Sequence, residues 1–162
     1  MSGRGSAILS AEAAVLSGVF LAGALMNIAI LDVPVLLEVK AQTSDIVDHW
    51  CRIYEYGSRL YPFLSIAICL LYGFALLGGG KPQRYWGTFL GAATITLAMV
   101  PYTWIFMMPT NNKLFQAQAL HRSGVMTSSE EIQALILTWQ KLHFVRSLFP
   151  LVGALLGSTR AF

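Results

Sequence analysis

The chain alternates between four long apolar stretches and short polar connections. The apolar stretches cover approximately residues 7–31, 60–77, 85–108 and 142–157. A helix that crosses a bilayer needs about 20 predominantly apolar residues, with a range of about 17–25. The first three stretches meet this length by themselves, and the fourth continues the helical periodicity of residues 132–141. This pattern predicts an all-α protein, an integral membrane bundle of four helices.

Composition supports a single membrane domain over residues 1–162. Hydrophobic residues make up 56% of the chain and charged residues 12%, and the mean hydropathy is +0.60. Four apolar helices would leave a soluble protein of this size too little polar surface to cover its outside. The apolar run after Arg4 is longer than the apolar core of a typical signal peptide, so we expect it to be a retained span.

Polar residues concentrate at one end of each predicted span. They lie where the first span ends, the second begins, the third ends and the fourth begins, so spans of alternating direction would bring them together on one side. Buried polar residues are costly in a membrane bundle and therefore indicate a functional site. The cluster comprises Asn27, Trp50, Tyr54, Arg59, Asn111, Asn112, His143 and Arg146.

Prolines, glycines and a capping motif predict the boundaries of the helices. Pro34 is expected to end the first span near Asp32, because proline disfavours helical geometry at the preceding residue. The Gly-Gly-Gly-Lys-Pro run at 78–82 predicts a tight turn between the second and third spans. Ser128 and Glu131 form a predicted capping box at the start of the last helix.

The charge distribution excludes one class of partner. The net charge is +3, but the basic residues are scattered and form no stripe that could follow a phosphate backbone, so we expect no nucleic-acid binding. Lys and Arg are denser on the side of the termini and more numerous on the opposite side, so they do not fix the orientation. We favour cytoplasmic termini.

The strongest candidate for chemistry is one face of the last helix. Trp139, His143 and Arg146 are spaced four and three residues apart, so they share that face. His143 is a candidate proton acceptor and Arg146 a candidate anchor for developing negative charge. In the structural alternative, Arg146 extends to lipid headgroups and His143 caps a carbonyl group.

Other polar and aromatic residues at this end are candidates for substrate binding. The amides of Asn111 and Asn112 could hold a substrate oxygen, although Asn also commonly ends a helix. Thr103 could reorganise the backbone carbonyls that Pro101 frees. The aromatic residues could wall a pocket for a flat molecule, or simply belong to an interfacial aromatic belt. The predicted substrate-binding set is Trp50, Tyr54, Asn112, Trp139, Thr103 and Asn27.

Metal and cofactor motifs are absent from the sequence. His49, His121 and His143 form no HxxH or HxxxH pair, and the Glu-x-x-His pattern of di-iron bundles does not occur. There is no Gly-x-Ser-x-Gly motif and no glycine-rich nucleotide loop. We therefore predict neither a metal site nor an organic cofactor.

Two motifs carry a resemblance to a known family. Pro-x-Thr-x-x-x-Met-x-Pro-x-Asn-x-x-Leu spans Pro101–Leu114, and Trp-x-x-Leu-His-x-Val-Arg spans Trp139–Arg146. With the four spans in this order, the chain resembles the anthrone oxygenase-like family of fungal polyketide clusters, over most of its length. The resemblance implies oxidation of an anthrone to an anthraquinone with molecular oxygen as co-substrate and no obvious cofactor. It is consistent with His143 removing a methylene proton, and with Arg146 and Asn111 or Asn112 stabilising the oxyanion.

Two other functions remain open from the residues alone. A non-enzymatic membrane scaffold, or a carrier for a hydrophobic metabolite, would use the polar cluster for packing or cargo binding. A metal-dependent oxygenase would combine His143 with loop carboxylates. The expected partners are a hydrophobic aromatic substrate and the bilayer, with an endomembrane such as the endoplasmic reticulum as the expected location. The small-residue face of the first span could form a homo-oligomer or pack within the bundle.

Overall fold

Four long helices make up the fold, as the apolar pattern predicts. The computed structural model describes residues 2–38, 42–78, 85–125 and 127–162. The helices that are long and apolar enough to cross a membrane are α1 (Gly5–Glu38), α2 (Thr43–Leu77), α3 (Trp86–Arg122) and α4 (Ser129–Ala161). Each is about 50 Å long at 1.5 Å per residue, so the short connections make consecutive helices antiparallel. The tight turn expected at 78–82 falls largely outside the described residues.

The helices pack in a ring. α1 contacts α2 and α4, and α3 contacts α2 and α4, whereas the diagonal pairs make few contacts or none. Buried leucine, isoleucine, alanine and aromatic side chains fill the interior, while large apolar side chains such as Phe20, Phe63 and Phe74 face outwards. An apolar exterior of this kind is stable against lipid and not against water. The chain is therefore a multi-pass membrane protein with a four-helix bundle.

The prediction that Pro34 ends the first helix near Asp32 is wrong. α1 does not stop at Asp32 but passes through a π-helical turn, Ile28–Asp32, into a further α-helical segment, Val33–Glu38. Pro34 lacks an N–H group, and the wide turn leaves the Ala29 carbonyl oxygen free to accept a hydrogen bond from Gln140 Nε2 at 2.6 Å. A side chain of α4 thus supplies a donor that the backbone lacks, and the helix continues.

The third helix also extends beyond its predicted end. It contains the segments Trp86–Leu97, Met99–Tyr102, a second π-helical turn at Thr103–Met107, and Met108–Arg122. Asn111 and Asn112 therefore lie within a helix and do not cap one. At the last helix, Ser128 precedes the first helical residue as predicted, but its side chain makes no capping hydrogen bond. The two π-helical turns lie at the polar end of the bundle, where such turns often accompany functional sites.

Candidate active site

A cavity of about 190 Å³ lies between α2, α3 and α4 at the polar end of the bundle. α2 and α3 form its walls, and the Trp139–His143–Arg146 face of α4 forms its floor. α1 contributes no lining residue. The lining residues are Ile53, Tyr54, Gly57, Ser58, Tyr61, Pro62, Met99, Val100, Thr103, Trp104, Met107, Met108, Asn111, Trp139, His143 and Arg146.

The floor brings together the residues that the spacing of α4 predicts. Trp139 and His143 are almost fully buried, and their ring centroids are 4.5 Å apart. One turn further along, Arg146 extends over the same face. Its Nη2 lies 3.0 Å from His143 Nδ1, and its Nη1 donates to Thr103 Oγ1 at 3.4 Å. Thr103 Oγ1 in turn donates to the Met99 carbonyl oxygen at 2.8 Å, which fixes its position.

These contacts define the tautomer of His143. A guanidinium group only donates hydrogen bonds, so Nδ1 must accept, and the neutral ring carries its hydrogen on Nε2. The ring also lies near the backbone carbonyl of Leu25, although Nε2 forms no hydrogen bond of good geometry. The basic nitrogen of His143 is therefore the one beside Arg146, on a residue that lines the cavity.

Within the part of the chain that the structure describes, no carboxylate forms an ion pair with Arg146. The groups that interact with it electrostatically include the phenols of Tyr54, Tyr61 and Tyr102. Among the described residues, the ion pair that meets distance criteria joins Arg59 and Glu55 at 3.5 Å, on the exposed surface. A guanidinium without a counter-ion inside a membrane bundle is costly, and an anionic ligand group would neutralise it.

Several buried polar atoms around the cavity have no hydrogen-bond partner. Asn111 is fully buried, yet neither its amide nitrogen nor its amide oxygen is bonded. Trp139 Nε1, His143 Nε2 and Arg146 Nε are also unpaired. Buried polar groups are nearly always satisfied in folded proteins, so a cluster of exceptions needs an explanation. These five unpaired atoms belong to residues that line one cavity, as expected for a polar ligand site, whereas Trp50, His121 and Thr127 have unpaired atoms outside its lining.

The remaining predicted residues divide into two groups. Tyr54 and Thr103 line the cavity, whereas Trp50 lies behind its wall, fully buried, with its ring 5.8 Å from that of Trp139. Asn112 is exposed and outside the lining. Asn27 is exposed as well and donates to Asp32 Oδ1 at 3.2 Å. The structure thus brings Asn111, but not Asn112 or Asn27, to the cavity.

The predicted set omits other lining residues that a helical stripe reveals. On α3, Met99, Thr103, Met107 and Asn111 recur every four residues, and all four line the cavity. On α2, Tyr54, Gly57 and Tyr61 recur at spacings of three and four and form the facing wall. Reading both stripes with the α4 stripe would have identified most of the site from sequence.

Comparison with known proteins places the chain in a family. The profile described as anthrone oxygenase matches residues 50–156. The chain is 42% identical over 153 residues to the anthrone oxygenase AgnL2 of Paecilomyces divaricatus, which covers 92% of this chain and 93% of that protein. The chain belongs to the anthrone oxygenase family. No solved structure matches it significantly.

Other members of the anthrone oxygenase family align over most of this chain. The anthrone oxygenase tpcL of Aspergillus fumigatus is 37% identical over 163 residues, covering 97% of this chain and 96% of that protein. The noranthrone monooxygenase of Aspergillus flavus is 40% identical over 148 residues, covering 89% of this chain and 69% of that protein. The residues matched by the family profile include every residue that lines the cavity.

Proposed function

We propose that this protein oxidises a polyketide anthrone to the corresponding anthraquinone with molecular oxygen, in the cavity between α2, α3 and α4. The observation that carries this proposal is the floor of the cavity, where the Arg146 cation pairs with no carboxylate of the described residues and lies 3.0 Å from the basic nitrogen of His143. Such a pair suits a substrate that loses a proton and becomes an oxyanion. The names of the family members, anthrone oxygenase and noranthrone monooxygenase, support the same substrate class.

The reaction is balanced without an external reductant. An anthrone has a methylene group opposite its carbonyl, and loss of one methylene proton gives an electron-rich enolate. The enolate transfers an electron to oxygen, and recombination forms a carbon–oxygen bond at the former methylene carbon. Protonation of the peroxide and loss of the second hydrogen cleave the oxygen–oxygen bond. One oxygen atom stays as the new carbonyl and the other leaves as water.

We assign the proton transfer to His143 and the charge stabilisation to Arg146 and Asn111. In the free protein, Arg146 Nη2 donates a hydrogen bond to the lone pair of His143 Nδ1. A substrate oxygen competes for that guanidinium hydrogen, and Nδ1 then becomes available to accept the methylene proton. The unpaired amide of Asn111 supplies a further donor to the same oxyanion. The protonated His143 later returns its proton to the peroxide.

We propose that no metal or organic cofactor takes part, because oxidation of the methylene carbon to a carbonyl supplies all four electrons that O2 takes up, one oxygen atom ending in the carbonyl and the other in water. We further propose an endomembrane location, such as the endoplasmic reticulum, with cytoplasmic termini. A flat, apolar polycyclic ketone dissolves in the bilayer, so the enzyme and its substrate occupy the same phase. This partition explains why the catalytic residues lie inside a membrane bundle.

Oxygen uptake and quinone formation by membranes that contain the protein test this proposal. With a simple anthrone such as emodin anthrone, we expect one oxygen molecule consumed per quinone, well above the spontaneous rate in membranes without the protein. Under ¹⁸O₂, the new carbonyl should carry one labelled atom. Rates equal to the spontaneous background with several anthrones would contradict the proposal and favour a carrier or scaffold.

A further inference from the structure

The cavity occupies a gap between two helices. α2 contacts α3 through Trp86–Leu97 and again through Met108–Arg122, but makes few or no contacts with Met99–Met107 between them. That interval contains the π-helical turn Thr103–Met107, which widens α3 locally. The helix surfaces therefore separate where the cavity lies and meet again on both sides of it.

The lining changes from buried and polar to exposed and mostly apolar along this gap. At the floor, Asn111 and His143 are 0% and 1% exposed. At the border between α2 and α3, Trp104 is 70% exposed and Met108 is 38% exposed, and Ser58 is exposed opposite them. A cavity whose lining includes both groups opens outwards between the two helices.

Exposed apolar side chains also occur elsewhere on both helices. Leu60 and Phe63 on α2, and Ile105 and Phe106 on α3, each have a relative exposure of half or more. These side chains face lipid in a membrane bundle. Trp104 adds an amphipathic ring of the kind that lies near the headgroups and contacts flat aromatic molecules well.

We propose that the substrate enters the cavity laterally from the bilayer, between α2 and α3, through an opening bordered by Ser58, Trp104 and Met108. The proposal rests on the proposed function and specifies how its substrate class arrives. A planar aromatic ketone dissolved among the acyl chains meets the apolar border first. Its oxygen-bearing edge then reaches Arg146 and Asn111 at the polar floor, so the direction of entrance also orients the substrate.

A second route would begin in water. A polar groove on the same end of the bundle shares Tyr54 and Ser58 with the cavity, and its other lining residues include Asp48, Arg52, Glu55, Arg59, Gln118 and Arg122. Its charged surface disfavours a polycyclic hydrocarbon framework, because such a molecule would have to leave the bilayer and displace water from ionised groups. Substitutions that narrow each route separately distinguish the two.

Tryptophan substitutions at three positions test the opening. Met108→Trp narrows the lipid-side border. Ile105→Trp adds the same bulk to an exposed lipid-facing site of the same helix outside the lining, and Arg52→Trp adds it to the aqueous groove. For Met108→Trp we expect kcat/KM to fall about tenfold, the low end of the range over which association rates vary among related complexes. We expect kcat to fall less, because narrowed access chiefly affects capture of the substrate. Ile105→Trp, outside the lining, should show no loss of kcat/KM.

Each outcome decides between the routes. If kcat/KM falls in Arg52→Trp but not in Met108→Trp, the entrance lies in the aqueous groove and the proposal is overturned. An equal fall of kcat and kcat/KM in Met108→Trp would mean that the substitution disturbs the site itself, which would also overturn it. If the unsubstituted protein shows no turnover, the proposed function fails separately. The entrance is then tested by the association rate of a fluorescent anthraquinone, which only Met108→Trp should slow.

Discussion

Arg146 donates a hydrogen bond from Nη2 to His143 Nδ1 at 3.0 Å, across one turn of α4. In the proposed mechanism, this contact keeps the basic nitrogen of His143 occupied until a substrate oxygen competes for the guanidinium. A neutral imidazole therefore lies beside a positive charge that pairs with no carboxylate of the described residues, as the proposed formation of an enolate requires.

Removal of the guanidinium should reduce catalysis more than stability. Arg146→Met preserves much of the side-chain volume but removes the donors to His143 and Thr103, and we expect kcat to fall about 100- to 1,000-fold, as when an oxyanion donor is lost. Arg146→Lys retains the charge without the fork of donors and should recover only part of this loss. Steady-state oxygen uptake measures the effect, and a thermal midpoint in detergent confirms folding. An Arg146→Met protein with wild-type kcat would contradict the assigned role.

The Asn111 side chain should lower the stability of the protein while supporting its activity. Both of its amide atoms are buried and unpaired, and such unsatisfied groups cost about 1–3 kcal/mol each in folded proteins. We expect Asn111→Leu to raise the thermal midpoint while lowering kcat/KM. Asn112→Leu is the matched control, because its exposed neighbouring side chain lies outside the cavity and should leave turnover unchanged. A destabilised Asn111→Leu protein would show that the amide stabilises the fold.

Most of the fold could be predicted from the apolar pattern, because span length and polar connections directly determine a membrane bundle. The helix ends could not. Pro34 was expected to terminate α1, but Gln140, which lies 111 positions from Ala29 in sequence, supplies the hydrogen bond that lets the helix continue. Long-range compensation of this kind leaves no local signal. The π-helical turn at Thr103–Met107 is likewise a backbone feature that residue types alone do not specify.

The candidate site was predictable where it depends on helical spacing. Trp139, His143 and Arg146 share a face because their positions differ by four and three, and the structure places them together. The spacing could not distinguish Asn111 from Asn112, since neighbouring residues point about 100° apart and the helix rotation was unknown. Asn27 lies at the expected end of α1, but it faces outwards, and end-of-span position alone does not determine orientation.

Close packing of α3 against α4 should depend on Gly153. A β-carbon there would overlap Thr96 Oγ1 and lie 2.8 Å from the Ala92 carbonyl oxygen. We expect Gly153→Ala to destabilise the protein by about 1–3 kcal/mol, as for overpacked cores. Gly73→Ala is the control, since a β-carbon at that helical position would meet no atom within 4 Å. Thermal unfolding should give a lower midpoint for Gly153→Ala than for Gly73→Ala. Equal midpoints would show that α3 and α4 can move apart without loss of stability.

The shape of the cavity should depend on Gly57. A β-carbon at this position would lie 2.9 Å from Tyr61 Cε2, so the tyrosine ring would have to move. Both residues line the cavity, and we expect Gly57→Ala to raise KM more for a bulky substituted anthrone than for unsubstituted anthrone. The double variant Gly57→Ala/Tyr61→Leu should recover the bulky substrate, because the smaller side chain relieves the contact. If the double variant does not recover the bulky substrate, the rise in KM comes from a change in α2 and not from the contact with Tyr61.

We propose that His143 is the base of an oxygenase that needs no metal. The most direct measurement compares oxygen uptake with an anthrone by membranes that contain wild-type protein, chelator-treated wild-type protein or the His143→Gln variant. We expect the substitution to lower the enzymatic rate about 100- to 10,000-fold, the usual contribution of general-base catalysis, and the chelator to have no effect. Near-wild-type turnover in a folded His143→Gln protein would contradict the role of His143 as base, and activity lost to chelator and restored by a metal ion would contradict a metal-free reaction.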